Sequence, residues 1–400
     1  MELSQSRLDR MSDVMAGYVS RGEIPGLVTL VSRRGEVHAS SYGVTALGGD
    51  VPVSRHSIFR ISSMTKPVTA VATMILVEEC LLRLDEPVDR LLPELADRQV
   101  LKDLDGPLED TVPAHRPITV RDLLTFTLGF GMVMAAPGST PLLRAMSSRS
   151  LGQGPPDPGG VPPPDEWIKA LGSLPLMYQP GERWQYNTGS EILSVLVARA
   201  SGQPFEVFLR SRIFEPLGMK DTGFFVPSPD LGRLVTAYWS DPSSGQLVLA
   251  DPAAGGQWSR MPAFPSGASG LVSTVDDFLA FGQMLLDKGR YPRGRLLSRP
   301  AVELMTSDQL TPAQKAISGI VPGYFESHGW GFGMSVSTRR DELWGTVGRF
   351  GWDGGMGTSW YSDPSEEMVT VLMTQRAWTS PAPPPICRDF WTLAYQAIND

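Results

Sequence analysis

Residues 59–71 read FRISSMTKPVTAV. Two adjacent serines are followed, within one helical turn, by a lysine in an otherwise apolar run. From Ser63 to about Leu82 the apolar residues Val68, Val71, Ala72 and Ile75 recur three or four apart, which predicts a helix. That helix is apolar nearly all round, so it belongs at the centre of the molecule. Residues i and i+3 share a helix face. Ser63 therefore has Lys66 beside it, whereas Ser62 has only Thr65. The remaining lysines, 102, 169, 220, 288 and 315, have Gln99, Glu166, Leu217, Leu285 and Pro312 three positions earlier, never a serine.

A serine hydroxyl is a poor nucleophile until a neighbouring base takes its proton. A lysine serves as that base when desolvation or a nearby cation lowers its pKa. A place at a helix N-terminus also favours negative charge on the serine oxygen. Pro67 falls in the first turn, where a missing N–H costs least. The same residues also suit a serine N-cap with Lys66 extended toward water. This stretch alone leaves both readings open.

The chain of 400 residues is 42% hydrophobic and 20% charged, the composition of an ordinary globular protein with a sizeable core. A formal net charge of −8 argues against nucleic acid or an anionic membrane as the main partner. The two cysteines, Cys80 and Cys387, form neither a disulfide framework nor a metal site, and Cys80 is expected inside the buried helix. His38, His56, His115 and His328 lack zinc-binding spacing. No metal or cofactor is implied. The N-terminal stretch reads as an amphipathic helix rather than a signal peptide, and no run approaches a membrane span. A cytoplasmic enzyme is the resulting expectation.

Residues 4–21 carry Leu8, Met11, Val14, Met15 and Val19 at helical spacing. GLVTLVSRRGEVHASSYGV, from Gly26, reads as a hairpin turning at Arg34-Gly35. Strand-like runs return as GWGFGMSV, DELWGTVGRFGW and TSWYSDPSEEMVTVLMTQRA, before a closing helix CRDFWTLAYQAIND. Strands at both ends and helices between them predict an α+β fold with a mostly antiparallel sheet. Residues 1–88 and 240–400 would form one discontinuous α/β domain, with 89–239 an inserted helical domain. Within it, 151–167 is rich in Pro and Gly and is expected to lack regular structure. It reads equally as a linker or as a loop shaping a substrate entrance.

Two more stretches bear on the chemistry. GERWQYNTGSEIL places Tyr186 just before a helix, where a tyrosinate held near an ammonium group would be a general base; a core tyrosine is the commoner fate. FGWDGGMGTSW puts Gly354 and Gly355 beside a strand, where a backbone N–H approaches a substrate closely or simply makes a turn. In order and spacing, SMTK, Tyr186 and WDGG resemble the class C β-lactamase-like serine hydrolases, a group that includes class C β-lactamases, D-Ala-D-Ala peptidases and family VIII carboxylesterases. The resemblance runs nearly the full length, through IPGLVTLVSRRGEV, ITVRDLLTFTLGF and GLVSTVDDFLAFGQMLL.

The resemblance implies a β-lactamase/DD-peptidase-like fold. It implies Ser63 as the acylated nucleophile, Lys66 and Tyr186 as its acid/base pair, and the N–H groups of Ser63 and Gly355 as the oxyanion hole. Trp352, Asp353, Gly354, Asn187 and Phe126 would meet the substrate, and the turn Ser266–Gly270 would line the site. Two departures favour esters over lactams. The lactamase Tyr-x-Asn pattern fails, since Asn187 directly follows Tyr186, and Glu191 stands where the esterase branch carries an acid. Trp352 replaces the lactamase lysine of Lys-Thr-Gly, which suits an uncharged acyl group. The expected activity is therefore hydrolysis of small, mostly uncharged carboxylic esters. β-Lactamase or D-amino-acid peptidase activity and acyl transfer to an alcohol remain alternatives.

Overall fold

The computed structural model describes residues 2–136, 138–152 and 154–400. Arg34 and Gly35 both take positive φ, 47° and 85°, the backbone that a two-residue hairpin turn needs. They join β1 (Gly26–Arg33) to β2 (Glu36–Gly43) in antiparallel register, with Arg33 opposite Glu36. All eight residues of β1 are buried, so this strand lies inside the sheet, not at its edge. Its other side pairs with the last of five further strands: β3 (His328–Trp330), β4 (Ser335–Ser337), β5 (Phe350–Gly354), β6 (Thr358–Asp363) and β7 (Met368–Thr374). The seven-stranded sheet runs β3-β4-β5-β6-β7-β1-β2, antiparallel throughout.

Helices cover both faces. The amphipathic α1 (Gln5–Ser20) and the closing helix (Pro385–Gln396) meet on one face, where Leu8, Met11 and Met15 join Leu27, Val31, Leu372 and Phe390. On the other face lie α2 (Thr65–Glu78), α3 (Thr188–Ser201) and α4 (Val275–Leu286); the closing helix is α5. Residues 65–76 of α2 are all buried, as a helix apolar on every side requires. Phe278 and Phe281 of α4 pack on Trp360 of β6, with ring centroids 5.6 and 5.5 Å away. Gly282 permits this approach, since a Cβ there would stand 2.3 Å from the indole nitrogen of Trp360.

Three expectations are corrected. Cys80 is exposed; it lies beyond the end of α2, with φ +59°. In DELWGTVGRFGW only Phe350 onward is strand, and 341–349 loops past the sheet. The Pro-rich stretch is not wholly irregular: a helix starts within it at Pro164 and runs to Gly172, proline being well suited to a first helical turn. Gln153 lies outside the described residues. Among the described residues no single helix is long and apolar enough to cross a membrane.

The α4–sheet contact makes a direct test. Gly282→Val is expected to lower stability by about 2 kcal/mol or more through overpacking against Trp360. Gly232→Ala, where a Cβ meets nothing within 4 Å, should leave the thermal midpoint unchanged. Equal midpoints for the two variants would refute the close packing.

Candidate active site

Ser62 resolves the ambiguity of the paired serines. It adopts φ +46°, a left-handed conformation rare for serine, at the head of the short 3-10 turn Ser62–Met64 that leads into α2. Ser62 and Ser63 both line a cavity of about 1150 Å³, but Ser62 is buried with Met64 while Ser63 is half-buried, and only Ser63 has the Lys66 amine beside it. The pair Phe59–Arg60 and Val272–Ser273 forms a small antiparallel ladder behind this turn. It draws the 266–271 turn onto α2, where Leu271 donates its N–H to the Thr65 hydroxyl and Thr69 donates to the Gly267 carbonyl.

Lys66 is fully buried. Its Nζ lies 2.9 Å from Ser63 Oγ and 2.9 Å from the Ala268 carbonyl oxygen. Burial holds its pKa well below the ordinary lysine range, and the nearby Glu191 carboxyl raises it in part. Glu191 itself accepts a hydrogen bond from Ser266 Oγ at 2.8 Å, while its enclosure pushes its carboxyl above the usual carboxylate range. A buried amine and a nearby carboxyl therefore titrate as a pair.

Tyr186 is placed by the turn before α3, and its ring faces Lys66, with Nζ 4.4 Å from the centroid. Its hydroxyl bonds to Ser63 and accepts a 2.6 Å hydrogen bond from the indole N–H of Trp352. Two features oppose the expected tyrosinate: burial raises the phenol's pKa, and the lysine faces the ring, 4.4 Å from its centroid.

The WDGG motif supplies the facing wall. β4 pairs with β5 only at Phe350 and Gly351, so the edge from Trp352 onward is free. Gly355 lines the cavity, and its N–H has no partner among the described residues. Gly354 does not line it. A Cβ there would fall 2.2 Å from the Ile61 carbonyl oxygen, so this glycine lets the strand close on the segment that carries Ser63. Phe126 is also corrected: it is fully buried behind Tyr186 and Trp330, at ring distances of 6.0 and 5.2 Å, and does not reach the cavity. Asn187 lines the cavity with φ +84°. Asp353 lines it as well, but its carboxylate takes the Tyr361 hydroxyl at 2.9 Å.

Ser266, Ser269 and Gly270 contribute to the wall, as do Gly154–Pro158 of the Pro-rich loop. Sequence reasoning did not find the Ala268 carbonyl, a backbone atom with no side-chain signal. It noticed Glu191 only through its spacing from Tyr186, and it missed the Trp184–Trp330 cage that backs Tyr186 at 5.7 and 6.2 Å.

The pattern that defines the Beta-lactamase family matches residues 11–384. The chain belongs to that family. It is a serine hydrolase of the β-lactamase/transpeptidase-like fold. Protein Rv1367c of Mycobacterium tuberculosis is 37% identical over 88% of this chain and 86% of its own length. Esterase EstB of Burkholderia gladioli is 28% identical over 92% and 90%. Among solved structures, EstCE1, a hydrolase with promiscuous acyltransferase activity, superposes with a TM-score of 0.78 over 98% of both chains at 24% identity.

The Lys66–Glu191 pair predicts a pH profile. The rate of Ser63 labelling by a fluorophosphonate should rise with pH as Lys66 loses its proton. The Glu191 charge raises the Lys66 pKa, so Glu191→Gln should let neutral Lys66 persist to lower pH and move the rising limb toward acid. A limb that stays in place, or moves toward alkali, would contradict the pairing.

Proposed function

We propose that the protein is a carboxylesterase that forms an acyl-enzyme on Ser63. The observation that carries this reading is Trp352: at the strand edge facing Ser63 stands a neutral indole whose N–H is committed to Tyr186, with no lysine to hold a carboxylate beside the reacting carbonyl. The similarity to esterase EstB supports it. The volume of the cavity leaves room for groups well beyond a short acyl chain.

Trp352 donates to the Tyr186 oxygen, and Lys66 Nζ, 2.9 Å from Ser63 Oγ, is within reach of the Ser63 proton once its amine is uncharged. Ser63 Oγ attacks the carbonyl carbon as its proton passes to Lys66. The carbonyl oxygen gains the electron pair and is held by the N–H groups of Ser63 and Gly355. When the tetrahedral centre collapses, the C–O bond to the alcohol breaks and the departing alkoxide takes the proton that the Lys66–Tyr186 pair received from Ser63. Water then enters by the same route in reverse, giving up a proton to the pair and releasing the acid. Acyl transfer to an alcohol is the second reading, since the same cavity has space for an acceptor in place of water.

Incubation with p-nitrophenyl butyrate should give an acyl adduct by intact mass in a slow-turnover variant such as Tyr186→Phe, and none in Ser63→Ala. Turnover of p-nitrophenyl butyrate should exceed that of nitrocefin. An adduct that persists in Ser63→Ala removes the nucleophile assignment, and faster nitrocefin turnover turns the reading to a lactamase. Ester products formed with an added alcohol would favour the transferase.

A further inference from the structure

Along β5, successive side chains point to opposite faces of the sheet. Trp352 stands on the Tyr186 face, while Asp353 contacts Tyr361 on the other. Both line the same cavity, which therefore passes around the free edge of β5 into an arm on the α5 side. Arg349, the residue before β5, lines that arm together with Tyr361 and Trp391. It is 3% exposed. Its guanidinium carbon lies over the Tyr361 ring, 3.7 Å from the centroid, with Trp391 and Tyr395 at 5.2 and 6.0 Å.

Stacking occupies the face of a guanidinium and leaves its N–H edge to find acceptors. Here the edge has none. Nε and Nη2 are buried without a hydrogen-bond partner, and no carboxylate among the described residues lies within ion-pair distance of Arg349. Of the acidic groups nearby, Asp353 gives one oxygen to the Tyr361 hydroxyl and leaves Oδ1 buried without a hydrogen-bond partner, Glu342 pairs with Arg388 at 2.9 Å, and Asp363 takes the Tyr395 hydroxyl and Thr346. Asp341 is exposed. Cation–π contacts offset only part of the cost of burying such a charge, and Asp353, the carboxyl that shares the arm, lies beyond ion-pair distance, so the guanidinium edge still lacks an acceptor.

We infer that this arm is an anion subsite, in which Arg349 receives a carboxylate at the end of the substrate remote from the reacting ester. The inference rests on the esterase reading and narrows it: the acyl group is uncharged beside Ser63 and Trp352, and the charge sits across the strand edge. A planar carboxylate matches the guanidinium edge. The aromatic rings of the arm would accommodate an apolar chain between the two ends.

The test compares p-nitrophenyl monoesters of the dicarboxylic acids from succinate to sebacate with chain-matched p-nitrophenyl alkanoates. At one or more chain lengths the acid ester should be preferred in kcat/KM by about ten-fold or more, as a charge-assisted contact gives, and high salt should reduce the preference. In Arg349→Met the preference should fall toward one. Neutral esters favoured at every length, or a preference that survives in Arg349→Met, would overturn the subsite and leave Arg349 a structural stack. If Arg349→Met fails to fold, Arg349→Lys keeps the charge without the planar edge and should lose most of the preference; full retention would overturn the proposal. Binding is read separately, by suberate quenching of tryptophan fluorescence. Saturable quenching in the wild type that is lost in the variant supports the subsite even if no ester is turned over, an outcome that would sink the esterase reading alone. Absence of quenching in the wild type counts against the subsite.

Discussion

A primary amine with no exposed surface is the constraint around which the centre of this protein is arranged. Lys66 is buried in a helix that is apolar on every side, and an ammonium there would need either full solvation or a close counter-ion. It has neither. The Ala268 carbonyl and Ser63 Oγ are the two atoms within 2.9 Å, and Glu191 lies farther off, tied to Ser266. Such surroundings favour the uncharged amine, which is the form that accepts a proton. The 266–271 turn is held in place by Thr65 and Thr69, one and two turns into the same helix, so the support of the amine comes from neighbours on its own helix.

The sheet supplies the second fixed element. Among the described residues β5 has no strand partner beyond Gly351 on one side, and Gly354 lets it touch the backbone of Ile61, two residues before Ser63. The Thr358 hydroxyl closes the same junction by donating to the Ile61 carbonyl at 3.2 Å. A strand edge and a strained turn are thus locked together, and the unpartnered N–H of Gly355 lies on the wall that Ser63 shares. Backbone donors positioned by packing need no reorganisation when charge develops on a substrate oxygen.

Much of this was legible because it is local. The Ser63–Lys66 spacing, the β1–β2 hairpin at Arg34-Gly35, and the buried helix depend on periodicity within a few residues. What failed depended on partners far along the chain. Phe126 sits in a segment that runs along the site, yet its left-handed φ of +61° at a helix end turns the ring into the Trp184–Trp330 cluster. Cys80 fell outside the helix because Glu79 is its last cap and the chain reverses there. Gly354 read as a substrate contact because nothing in WDGG says that Ile61 will be opposite. The tyrosinate expectation took proximity to a cation as decisive and left out burial, which raises the phenol's pKa.

Trp352 joins these levels. By sequence it is a substitution of an aromatic residue for a cation. In the structure it is a hydrogen-bond donor to the Tyr186 oxygen. A lysine donating there would bring a full positive charge and favour tyrosinate; an indole N–H brings only a dipole, against which burial raises the phenol's pKa. One residue therefore changes two properties together: it removes the cation that would attract a carboxylate to the acyl side, and it withholds from the Tyr186 oxygen the full charge that would favour tyrosinate.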